Sequence, residues 1–214
     1  RVRGDSVLRA LHGDPRWPPL VADADARHAA LDSVLRRELL GLAERDQANR
    51  QGIMELVGRF GRGSPQVDSA EAAMAAADAP LQARLREIVR TRGWPGRRLV
   101  GDDGAHAAWL VVQHMDAAYQ REVLPLLLDA AARGDARPGD AAYLEDRVRM
   151  ADGRPQRYGT QLRLPEAGGG APVLHPVEDE PCVDRRRAEA RLGPLADYLR
   201  ELGVAYTPPS EACR

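Results

Sequence analysis

The chain has no lysine, so all 31 of its Lys-or-Arg positions are arginine. That usage fits a GC-rich coding sequence better than it fits a function. Only two cysteines occur, Cys182 and Cys213. They make no framework and no metal-ligand spacing, and a reducing cytoplasm is the expected compartment. No apolar run approaches the ~18–20 residues of a membrane span, and no signal peptide is visible. Acid and base nearly cancel, leaving a net charge of -1 with no separate basic block. Nucleic acid is therefore not an expected partner. HExxH is missing, as are a GxSxG turn and the Lys-Ser/Thr ending of a phosphate loop. Gly168, Gly169 and Gly170 read as a flexible stretch.

What is present suits one domain: 214 residues are enough for a substantial core. The expected fold is all-α, a single-domain bundle of about five to seven helices, with a small β-hairpin allowed near residues 157–175. Residues 1–22 read as an irregular Pro-rich segment, 23–204 as the helical domain and 205–214 as a flexible tail. Helices are expected over 24–60, 69–92, 104–116, 118–133 and 138–153, with two short ones over 180–191 and 194–203.

The first of these helices carries the strongest signal. Leu31, Leu35, Leu39 and Leu42 keep one face toward a core, and Ile53, Leu56 and Phe60 resume it. The rhythm between them falls on Asp46 and Asn49. A polar group in such a stripe costs roughly 1–3 kcal/mol unless it is paired, so these two mark either a buried network or a site. Arg50 follows Asp46 by one turn and could orient its carboxylate.

Two other helices break their stripes in the same way. His114 completes a stripe begun by Ala107, Leu110 and Val111, with Gln113 beside it. Histidine titrates near neutrality, and a buried one with a carboxylate partner is a natural general base. The plainer reading is a satisfied core histidine. Arg147 sits mid-stripe between Tyr143 or Leu144 and Met150 or Ala151. It needs a carboxylate, a route to solvent or an anionic ligand. An Arg147–Asp46 ion pair between helices would satisfy it structurally. The helices over 69–92 and 118–133 show clean stripes and read as scaffold.

Loops add candidates. Trp94 in Gly93-Trp94-Pro95-Gly96 could wall a pocket or simply anchor its loop. Asp102 or Asp103 is expected to cap the helix that follows. Gln156, Arg157, Tyr158, Thr160 and Gln161 gather donors in one short stretch. A metal site is not supported, because His106 and His114 lie ~12 Å apart along a regular helix.

These motifs in order also carry a resemblance. Gly93-Trp94-Pro95-Gly96, Ala108-Trp109-Leu110-Val111-Val112-Gln113-His114, Leu144-Glu145-Asp146-Arg147 and Gln156-Arg157-Tyr158-Gly159-Thr160-Gln161 resemble the bacterial family catalogued as domain of unknown function 6624. The likeness spans roughly residues 30–200 and brings no activity with it. Its motif positions are Asp46, Arg50, Trp94, Gln113, His114, Asp146, Arg147, Tyr158 and Gln161, which overlap the residues selected by the broken stripes.

The expected function is a small-molecule enzyme of proton-transfer type (elimination, isomerisation, cyclisation or hydrolysis) acting on an anionic substrate between helices. His114, Asp46 and Arg147 are the catalytic candidates. Arg50, Asn49, Gln113, Trp94, Asp146, Tyr158 and Gln161 are the substrate-binding ones. No metal or other cofactor is implied. The partner is a small anionic molecule, with no nucleic acid and no membrane, and a bacterial biosynthetic pathway is one setting. The alternative is a non-catalytic binding or interaction protein whose polar interior is structural; a metal-dependent hydrolase is third.

Overall fold

Residues 6–163 and 172–213 are described in a computed structural model of the chain. The expected irregular start is instead a short 3-10 helix, Ser6–Leu11, and helix α1, Trp17–Ala29. Pro18 and Pro19 open α1, where proline's missing N–H and fixed φ suit a first turn. The single helix expected over 24–60 is two. Helix α2 runs Ser33–Phe60, and the Asp32 carboxylate caps it by accepting from Leu35 N at 2.9 Å. Asp32 N also donates to Leu99 O at 2.8 Å, which fixes the break. An N-cap followed by an apolar stripe starts a new helix more favourably than it continues an old one.

Helix α3, Pro65–Arg92, is capped by Ser64 and passes through Pro80. Helix α4, Arg97–Val112, is broken at Gly101, whose φ of 77° is a conformation glycine adopts without strain. α4 starts earlier and stops sooner than the expected 104–116. Helices α5, Ala117–Ala132, and α6, Pro138–Ala151, lie close to expectation. α2 packs on α4 and α3, and α5 packs on α6. Leu39, Leu85, Val112, Leu127 and Leu144 are fully buried in the shared core.

A smaller core of Val183, Leu195, Leu199 and Val204 joins α7, Val183–Glu189, to α8, Leu195–Glu201. The only described strands are β1, Leu162–Arg163, and β2, Val173–Leu174, which pair antiparallel with Leu162 opposite Leu174. The fold is all-α with this small ladder. The glycines at 168–170 lie outside the described residues. Among the described residues, no helix is long and apolar enough to cross a membrane.

Two expectations fail at the C-terminal end. Cys182 and Cys213 are joined by a disulfide. The tail is thus tethered at Cys213, and Tyr206 within it packs on the small core.

Exposed ion pairs lace the long helices together. Arg36 of α2 donates through Nε to Asp103 of α4 at 2.8 Å. This bond, more than any other contact, holds the Asp103 carboxyl below its ordinary value. Asp103 therefore contributes stability above its ordinary pKa of about 4, and loses it as pH falls through the lower native value. Urea unfolding of Asp103→Asn between pH 7 and pH 2 should show a shallower acid loss than the parent chain. Equal slopes would remove Asp103 from the acid response.

Candidate functional site

Asp46 lies where its stripe places it, on the buried face of α2 with 1% of its surface exposed. Its carboxylate is held from three directions. Oδ2 meets His114 Nδ1 at 2.7 Å and accepts from Gln47 Nε2 at 2.9 Å. Oδ1 faces Arg50 Nη1 at 2.8 Å. That same nitrogen donates to the Asp46 carbonyl at 2.6 Å. A carboxylate so fixed sets the histidine ring's orientation and favours a proton on Nδ1, leaving Nε2 as the free nitrogen. His114 Nε2 has no partner among the described residues, and the side chain is 19% exposed.

His114 is not on the stripe of α4. That helix ends at Val112, and His114 sits in the turn before α5. Gln120, buried in α5, fixes this turn. Its amide donates to the carbonyls of Val112, Gln113 and Met115 at 3.3, 2.9 and 3.0 Å. Val112 O also accepts from Met115 N at 3.0 Å, so the amide ties together the last carbonyl of α4 and the turn that follows. The turn thus offers the imidazole to Asp46 while its backbone stays satisfied.

Arg50 is expected to hold an anionic ligand, but the protein's own carboxylates take it up. Besides Asp46, its Nη2 pairs with Asp78 Oδ2 at 2.8 Å. Asn49 Nδ2 donates to the other Asp78 oxygen at 3.1 Å. Asp78, 4% exposed, belongs to α3, a helix whose stripe reads as clean. The missed signal is the spacing Met74, Asp78, Leu81, Leu85, Ile88. It alternates four and three better than the same series with Ala77, which is exposed. Gln120 was missed for the same reason, since Gln120, Val123 and Leu127 share one buried face of α5.

Arg147 does not pair with Asp46. It is half-buried, its Nε is enclosed without a hydrogen-bond partner, and it forms no ion pair with a described residue. Burial pushes the guanidinium below its ordinary value; Tyr198 opposes that shift and the Arg50 charge adds to it. Arg147 and Arg50 therefore lie within electrostatic reach of each other.

The remaining candidates separate from this centre. Asp146, fully buried, anchors the loop after α6. It accepts from the backbone of Arg157 at 2.6 Å, Tyr158 at 3.1 Å and Thr160 at 3.0 Å, and from the Thr160 hydroxyl at 2.9 Å. Tyr158 lines a different cavity, between α5, α6 and α7. Gln161 gives its amide to Thr160 Oγ1 and its N–H to Gln156 Oε1. Gly159 completes the loop with φ 70°, and Leu195 approaches so closely that a Cβ there would clash. Trp94 packs against the main core with its indole N–H buried and unpartnered. Gln113 caps α4 and makes no side-chain hydrogen bond to a described residue. Neither Asp102 nor Asp103 caps the start of α4, which opens at Arg97 with Gly96 as its N-cap; Asp103 lies inside the helix and accepts from the adjacent Gly104 N at 2.9 Å. Among the described residues, no three His, Cys, Asp or Glu side chains stand close enough to share a metal ion.

A family model described as a family of unknown function, DUF6624, matches residues 33–208. The chain belongs to this family. No curated protein and no solved structure gave a match. The DUF6624 match opens at the first residue of α2, so α1 lies outside the shared unit, whereas Asp46, Asp78, His114 and Arg147 all lie within it.

Proposed function

We propose that this DUF6624 chain is a small-molecule enzyme in which His114 moves a proton and Arg147 holds an anionic group of the substrate. One observation carries the reading: the 2.7 Å contact between His114 Nδ1 and the buried, thrice-held Asp46 carboxylate. A His–Asp pair of this kind presents a free Nε2 as acid or base, and its carboxylate steadies the imidazolium formed. Arg147 supports the second half. A partly buried guanidinium without a counter-ion is costly, and a bound carboxylate or phosphate would relieve it bidentately. Arg50 and Asp78 then position Asp46 and do not touch substrate. The reaction class is elimination, isomerisation, cyclisation or hydrolysis, in a bacterial biosynthetic setting. The cysteine count alone points to a cytoplasm, whereas the Cys182–Cys213 bond favours an oxidising compartment.

The rival reading is a binding or interaction protein whose polar interior is structural, and the complete engagement of Arg50 by Asp46 and Asp78 favours it. His114→Gln separates the two. Turnover would be assayed on anionic substrates suggested by the neighbouring genes, alongside melting of the same sample. An acid–base role predicts a fall of about 10²-fold or more with the melting temperature level or higher. A destabilised protein with unchanged turnover per folded molecule would make His114 a strut.

A further inference from the structure

A second polar constellation lies on the opposite part of α4. His106 Nδ1 meets the two oxygens of buried Asp140, at the start of α6, at 2.9 and 3.1 Å. One turn on, Trp109 stacks on the His106 ring with centroids 4.9 Å apart, and Tyr143 meets Trp109 edge-on at 6.0 Å. These four side chains line a cavity of about 620 Å³ that His114 does not reach. That volume falls within the range of small-molecule sites, roughly 300–1,000 Å³.

Three features of the wall point to the ligand. Trp109 is 7% exposed, yet its indole N–H is buried with no acceptor. Such an orphaned donor costs roughly 1–3 kcal/mol, and an acceptor on a ligand would recover it. Next, Arg97, Arg137 and Arg191 line the cavity. Asp102 engages the first two at 3.0 and 2.6 Å. Arg191 is exposed and forms no ion pair with a described residue. Its left-handed backbone, φ 58°, ends α7, where Leu192 N donates back to Arg187 O at 2.8 Å and so sets Arg191 at the rim of the cavity. Lastly, the aromatic faces and Leu192 supply flat apolar surface.

We infer that this cavity binds a small aromatic carboxylate, its ring against the Trp109–Tyr143 wall and its carboxylate between Arg191 and the Trp109 N–H. The site is separate from the His114 centre and does not depend on the reaction proposed there.

Calorimetry with 2-naphthoate tests this, set against 2-naphthalenemethanol, which has the ring without the charge, and hexanoate, which has the charge without the ring. The full chain should bind 2-naphthoate at least ~10-fold more tightly than either control. Arg191→Ala, at an exposed position, should weaken binding about 10-fold. Trp109→Phe, which keeps the ring and removes the orphaned donor, should weaken it ~5-fold or more with no loss of melting temperature. Absence of heat with 2-naphthoate up to about 10 mM would overturn the assignment. So would equal binding of either control, or undiminished binding in both cavity variants.

Discussion

Asp46→Ala is expected to lose about 3–5 kcal/mol of folding stability, the usual result of breaking a buried ion pair from one side. The carboxylate is 1% exposed and serves three donors at once. Its removal leaves His114 Nδ1 and Gln47 Nε2 without their acceptor in a site built around it, while Arg50 Nη1 loses the carboxylate and keeps only the backbone carbonyl of residue 46. Asp78 still holds Nη2 of Arg50, which points to the lower half of the range. Asp46→Asn keeps the size and one carbonyl acceptor, so it should lose less, about 1–2 kcal/mol. Urea unfolding of both variants measures this. A loss below about 1 kcal/mol for the alanine variant would mean that the network contributes little to the fold.

Asp146→Ala should destabilise by a similar amount, about 3–5 kcal/mol, but somewhere else. Three backbone N–H groups and the Thr160 hydroxyl would lose their shared acceptor, each worth roughly 1 kcal/mol or more when left unpaired. Burial raises the Asp146 carboxyl above its ordinary value, so the ionised side chain already bears a desolvation penalty. That penalty keeps the net loss below the sum of its bonds. The damage should be local: hydrogen exchange at 157–161 should quicken while the His114 turn keeps its protection. Unchanged exchange in that loop would contradict the anchor role.

These two carboxylates show how far the sequence could be read. Asp46 was legible because leucines on one side and an isoleucine on the other fixed the phase of α2 around it. Asp78 was not, because it sits among alanines. An alanine fits a buried face or an exposed one, so the phase of that half of α3 was set only by Met74 and Leu81. Asp146 entered as a substrate-binding candidate through the family motif alone, and its partners are backbone groups and the Thr160 hydroxyl eleven to fourteen residues later in an irregular loop. Helical periodicity carries no information about such contacts. The break before α2 was written in Asp32 as a capping residue, and the leucine stripe concealed it. His114 was read as completing a helical stripe, whereas the turn that carries it depends on Gln120 reaching back to the end of α4.

The disulfide between Cys182 and Cys213 closes a covalent ring around α7 and α8. Pulled between residues 6 and 213, the polypeptide would transmit tension from Cys182 directly to Cys213. Everything between them would carry no load. The small core of Val183, Leu195, Leu199 and Val204 could stay folded while the long helices extend. The final contour length would fall short by ~100 Å, the span of the sequestered residues at about 3.5 Å each.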